Sequence, residues 1–65
     1  MDYTERELIA GCYVRRIKND AKRSYAEAYL AWLRGGEIGD SPEYTDLSYM
    51  VAQAVRMQLR EAYGE

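Results

Sequence analysis

The amino-acid sequence predicts an all-α protein, and three observations support this prediction. Apolar residues recur at steps of three and four along both halves of the 65-residue chain, which is the spacing of one face of an α-helix. Residues that begin and end helices stand at the limits of these patterns. A chain this short makes one domain, 1–65, whose own core gives marginal stability, so we expect it to associate with a second copy of itself.

Capping signals set the bounds of two predicted helices. Thr4 followed by Glu7 is typical of a capping box at the start of the first. The glycines at 35–36 supply a left-handed stop. Ser41-Pro42 is typical of an N-cap and a first helical position, and Thr45-Asp46 is the alternative start. The prediction is a helical hairpin with a long helix at about 4–34, a loop at 35–41 and a second helix at about 42–63.

The first helix has one alternative, a break at 19–20 that would give three helices. Asn19 could end one helix and Asp20 could cap the next. An apolar stripe nevertheless crosses this point without a change of phase: Ala10, Val14, Ile17, Ala21, Tyr25, Ala28 and Trp32. Since a break would normally reset the phase, the periodicity favours one continuous helix.

The lengths of the two helices indicate how the chain would associate. The apolar stripe of the second helix consists of Leu47, Met50, Val51, Ala54, Met57 or Gln58, and Ala62. At about 1.5 Å per residue, the first helix would extend roughly 10 Å beyond the second and carry uncovered apolar side chains with it. We therefore expect two hairpins to form an antiparallel four-helix bundle, or one hairpin to bind a partner. The predicted seam consists of Leu8, Ile9, Cys12, Tyr13, Tyr25 and Trp32.

The composition excludes most chemical functions. The chain has no histidine and one cysteine, Cys12, so it lacks an intrachain disulfide and a good ligand set for structural zinc. No Gly-rich phosphate loop precedes a helix, and no Ser or Cys has a base at motif spacing. We expect a protein that is not an enzyme, with no catalytic residues, no metal and no cofactor.

The sequence also bears on location. No apolar run approaches the roughly 18 residues of a membrane span. The start, "MDYTERE", lacks the basic-then-apolar order of a signal peptide. We expect a cytoplasmic protein without a membrane partner.

Tyrosine and arginine on the second helix point to binding of an unidentified protein. These residue types are enriched at interface hot spots, and the chain has seven Tyr but no Phe. The predicted partner-binding residues are Tyr49, Gln53, Arg56, Arg60 and Tyr63 of the second helix and Tyr29 of the first. Tyr29 and Leu33 lie at the edge of the first stripe, where we expect them half-exposed. The predicted function is a small adaptor, regulator or inhibitor that occludes a surface of its partner.

The alternative function is binding of RNA or DNA by a dimer. A basic strip in the first half would supply the contacts: Arg15, Arg16, Lys18, Lys22 and Arg23. Five positive charges could give a salt-sensitive affinity for phosphates. No aromatic stacking motif or groove-reading motif accompanies them.

Charge reversal in the basic strip tests this alternative. If Lys18 and Lys22 contact phosphates, Lys18→Glu with Lys22→Glu abolishes retention on immobilised RNA or DNA in low salt, because repulsion replaces attraction. The measurement is the salt concentration at which each protein elutes. A wild-type protein that is not retained in low salt eliminates nucleic-acid binding through this strip.

Overall fold

The computed structural model describes residues 5–63, which form three packed α-helices. α1 spans Glu5–Arg16, α2 spans Asp20–Arg34 and α3 spans Tyr49–Tyr63. No strand occurs between residues 5 and 63, so the predicted all-α class is confirmed. The unit measures 34 × 27 × 18 Å. Within the same residues, no helix has the length and apolar character needed to cross a membrane.

The predicted continuous helix over 4–34 is wrong, and the alternative with a break is correct. Asn19 has an extended backbone and accepts a hydrogen bond on its side-chain Oδ1 from the amide of Lys22 at 2.8 Å, which caps α2. Arg23 donates to the carbonyl of Ile17 at 3.0 Å and to the carboxylate of Asp20 at 2.7 Å. The bonds to the Lys22 amide and the Ile17 carbonyl satisfy backbone groups that a helix end leaves free. The apolar phase concealed the break because apolar residues continue the α1 stripe into α2, although α2 buries a different face.

The break also removes the basis of the predicted dimer. With α1 folded back on the other two helices, there is no single long helix to extend beyond a hairpin. The four-helix bundle of two hairpins stays a prediction. Thr4, the first residue of the predicted capping box, lies outside the described residues.

α3 begins at Tyr49 and not at 42. Ser48 caps the helix: its hydroxyl accepts a hydrogen bond from the amide of Val51 at 3.3 Å. Its carbonyl accepts one from the amide of Ala52 at 3.0 Å. Residues 35–48 form a long connection that packs Tyr44 and Leu47 against the core. The predicted stop of α2 is confirmed: the helix ends at Arg34, and Gly36 has a left-handed φ of 86°.

The core differs from the predicted stripes on α2 and α3. The buried apolar side chains are Ala10, Val14, Ile17, Tyr25, Ala26, Tyr29, Leu30, Leu33, Ala52, Val55 and Leu59. Ala28 is exposed, and Ala21 and Trp32 are half-buried. Tyr29 and Leu33, expected half-exposed, are buried. The corner at 17–19 gives α2 its own orientation, so a stripe continued from α1 does not describe the face that it buries.

α3 buries a different face from the one predicted. Ala52, Val55 and Leu59 are fully buried. Most of the predicted stripe is exposed, namely Met50, Val51, Ala54, Met57 and Gln58, while Leu47 and Ala62 are half-buried. The reason is that α3 carries apolar residues on more than one side, and its neighbours decide which side is covered.

The Asn19 cap provides a test of the corner between α1 and α2. Asn19→Ala removes the side-chain acceptor, and we expect the free energy of unfolding to fall by about 1 kcal/mol. Urea denaturation followed by circular dichroism measures this change. Asn19→Ser is the matched control, because serine also caps helices and retains most of the stability. Equal stability of the alanine and serine variants would contradict a capping role.

Candidate functional site

Two arginines of α3 hydrogen-bond two tyrosines of α2. The Nη1 atom of Arg56 donates to the Tyr25 hydroxyl at 3.0 Å, and Nε of Arg60 donates to the Tyr29 hydroxyl at 3.1 Å. Both tyrosine side chains are buried, and Tyr29 is only 2% exposed. Phenylalanine at these positions would remove both hydroxyl acceptors. This pairing gives a physical reason for tyrosine at two positions of the core.

Further aromatic residues extend this contact toward the connection 35–48. The ring of Tyr44 meets that of Tyr25 edge-on, with centroids 6.3 Å apart, and lies 5.9 Å from the ring of Tyr49. The Arg56 guanidinium stands 5.4 Å from the ring centre of Tyr44 and 5.8 Å from that of Tyr49, within the range of cation–π attraction. We call this group the arginine–tyrosine cluster: Tyr25, Tyr29, Tyr44, Tyr49, Arg56 and Arg60.

Two side chains hold the start of the connection next to the cluster. Glu37 accepts from Nη2 of Arg60 at 2.6 Å, although its own backbone is left-handed with a φ of 59°. Trp32 donates from its indole nitrogen to the carbonyl of Gly39 at 3.2 Å, and its ring lies 5.3 Å from that of Tyr29. The connection is therefore fastened to both α2 and α3.

The electrostatics of the cluster keep both arginines charged. The hydrogen bond to Tyr25 is the main cause that raises the pKa of Arg56 above its usual value. The carboxylate of Glu37, and then the hydroxyl of Tyr29, raise the pKa of Arg60 in the same direction. Permanently charged guanidinium groups do not exchange protons near neutral pH, so the cluster is suited to holding helices together and not to acid–base catalysis.

Of the residues predicted to bind a partner, some are buried within the chain and others are exposed. Tyr29 is buried, and Arg56 and Arg60 are half-buried in the arginine–tyrosine cluster. Tyr63 is half-buried, with the guanidinium of Arg6 5.4 Å from its ring centre. The exposed members of this set are Tyr49 and Gln53, at the first turns of α3.

An uncharged apolar surface lies on the side of α3 that faces away from the core. We call it the outer α3 face: Met50, Gln53, Ala54 and Met57. Its spacing of three, four and seven residues places these side chains on one side of the helix. Met50 is 81% exposed and Met57 63% exposed, and the other two are exposed as well. The sequence periodicity predicted Met50, Ala54 and Met57 as core, and it predicted Gln53 as a partner-binding residue on the other side of the helix.

A second exposed surface lies on α1. Leu8 and Ile9 are about half exposed, at 53% and 51%, and Cys12 is exposed beside them. Together with Tyr13 and Arg16 they line an open groove of about 390 Å³. We call these five residues the outer α1 face. Partial burial raises the pKa of the Tyr13 phenol, so its hydroxyl stays protonated near neutral pH.

The residues of the predicted seam are likewise partly exposed and partly packed in the core. Its α1 members, Leu8, Ile9, Cys12 and Tyr13, line this groove. Tyr25 is buried, and Trp32 packs against the core of its own chain.

Two members of the basic strip, Arg23 and Arg15, make side-chain contacts within the chain. The Arg23 guanidinium is bound to the carbonyl of Ile17 and the carboxylate of Asp20. Arg15 donates to the Cys12 sulfur at 3.3 Å, and Lys18 lies in the corner between α1 and α2. In the part of the chain that the structure describes, no group of three or more His, Cys, Asp or Glu side chains could hold a metal ion.

Removing the Arg60 guanidinium tests whether the cluster fastens the connection. In Arg60→Met the bonds to Glu37 and Tyr29 are lost, and we expect the fluorescence of Trp32 to shift to longer wavelength as the connection loosens. Because these bonds are partly exposed, the free energy of unfolding should fall by about 1 kcal/mol.

The matched control for this change is Arg15→Met on the exposed side of α1, which should leave Trp32 fluorescence as in the wild type. An unshifted emission maximum in Arg60→Met would contradict the role of the cluster in holding the connection.

Comparison of the chain with family models, with curated proteins and with solved structures finds no match.

Proposed function

We propose that this protein is a non-enzymatic interaction module that binds another protein through the outer α3 face. One observation carries the proposal: two highly exposed methionines, Met50 and Met57, stand on one side of a helix with only Gln53 and Ala54 between them on that side. The charged side chains Arg56 and Arg60 point instead into the arginine–tyrosine cluster. Interface centres are depleted of charge in the same way.

The chemistry of methionine suits a binding surface. Its side chain is flexible and polarizable, so it adapts to irregular apolar pockets. Complete burial of one such side chain stabilises a complex by about 1.5–3 kcal/mol before the entropic costs of association. Gln53 can add hydrogen bonds at the same surface, and Tyr49 stands at its edge with an exposed ring. The partner we expect presents an apolar groove with a polar rim.

The rest of the molecule supports this face as a rigid platform. Ala52, Val55 and Leu59 fix the opposite side of α3 in the core with no exposed surface. The hydrogen bonds of Arg56 and Arg60 fix a third side against α2. A surface already held in its binding shape loses less conformational entropy on association. This supports action by occlusion, as a small adaptor, regulator or inhibitor.

Nucleic-acid binding has less support from the geometry. Arg23 uses its guanidinium within its own chain. The remaining basic residues are spread over the end of α1, the corner and the start of α2. The salt concentration at which the wild type and the Lys18→Glu, Lys22→Glu double variant elute from immobilised RNA or DNA distinguishes this function from the proposed one.

Substitutions on the outer α3 face test the proposed function. Met50→Lys with Met57→Lys places two charges in the contact, and we expect the affinity for a captured partner to fall at least about tenfold. Lysine is a good helix former, so the helical circular dichroism should be unchanged. The measurement is affinity capture of partners from cell extract, followed by titration with the purified partner.

The control is Ile38→Lys, which changes an apolar side chain that is 83% exposed in the connection. It should bind the partner as the wild type does. Equal capture by the methionine double variant, or equal loss in the control, would show that binding does not depend on the outer α3 face.

A further inference from the structure

We propose that two copies of this chain pair in antiparallel fashion through their outer α1 faces, about a two-fold axis. The inference goes beyond the proposed function, because it concerns a different face and a second copy of the chain. It starts from the apolar groove lined by Leu8, Ile9, Cys12, Tyr13 and Arg16.

The distribution of charge along α1 favours a second copy of this chain as the occupant of the groove. Glu5, Ile9, Cys12 and Arg16 follow one another at steps of four, three and four residues, which places them on one side of the helix. An acidic residue therefore stands at one end of the stripe and a basic residue at the other, with apolar residues between. Such a stripe is complementary to itself when it is reversed.

A two-fold axis midway between positions 10 and 11 gives a single register for the pair. In that register Glu5 lies opposite the partner's Arg16, and Ile9 lies opposite the partner's Cys12. Leu8 and Tyr13 lie on opposite flanks of this central row. Symmetry repeats each contact, so the pair gains two ion pairs and two Ile9–Cys12 contacts. A two-fold interface requires this self-complementarity, whereas an unrelated protein would not require it.

The predicted contact is small. Each α1 helix has 12 residues and is about 18 Å long. Two such helices bury less surface than the roughly 1,600 Å² of a standard interface. We therefore expect a reversible dimer, in which the outer α3 faces of both copies stay open to partners.

A charge swap tests the pairing and its direction. In Glu5→Arg the new arginine lies opposite the partner's Arg16, and in Arg16→Glu the new carboxylate lies opposite the partner's Glu5. We expect each change to weaken dimerisation roughly tenfold. The double variant Glu5→Arg with Arg16→Glu restores opposite charges, so dimerisation should recover. Sedimentation equilibrium over a wide range of protein concentrations measures all four proteins.

Two controls separate the interface from the fold. Glu27→Arg reverses an exposed charge on α2, outside the proposed interface, and should leave the dissociation constant unchanged. Circular dichroism shows whether each variant keeps its helices. Recovery in the double variant cannot come from restored helix stability, because both changes oppose the helix dipole.

The outcomes are distinct. Weakening in both single variants with recovery in the double variant supports the antiparallel α1 pair. The proposal is overturned by a wild-type protein that is monomeric at all concentrations, by a dimer that is insensitive to the swaps, or by a double variant weaker than both single variants.

Discussion

The structure depends on the hydrogen bonds between the guanidinium groups of α3 and the phenols of α2. Arg56 and Arg60 bond Tyr25 and Tyr29 at the border of the core, where a polar contact is stronger than in water. They hold the arginine side of α3 against α2. With its arginines facing α2, the helix buries Ala52, Val55 and Leu59 and leaves its methionines outside. The exposed apolar surface of α3 is thus a result of the way the core is joined.

The parts of the fold that could be predicted from sequence are those specified by local signals. Gly36 ends α2 because its backbone readily becomes left-handed, and helical periodicity indicates the all-α class. Asn19 also carried the signal for the break, but its capping bond competes with an uninterrupted apolar phase. The periodicity of one sequence does not show whether the capping bond or the continuous apolar stripe prevails. The buried face of α3 is settled by contacts with residues 31 positions away, which no local pattern contains.

The positions of the candidate site residues, too, could be predicted only in part. Leu8, Ile9, Cys12 and Tyr13 were predicted to need a cover from outside the chain, and they line the groove of α1. Arg56 and Arg60 were predicted on a binding surface, but they bind within the chain. Tyrosine and arginine at helical spacing are typical of intermolecular and intramolecular contacts alike, because the same hydrogen bonds and cation–π contacts serve both.

The connection 35–48 has a consequence for the order in which the chain folds. The corner between α1 and α2 closes over six residues, from Arg23 to Ile17, whereas the bonds between α2 and α3 join residues 31 apart. Loop-closure entropy rises with the length of the segment, by about 0.6 kcal/mol for each doubling. Since near contacts are cheaper to form than distant ones, α1 and α2 should meet early and α3 should dock late. Until α3 docks, the tyrosines of α2 stay open to water.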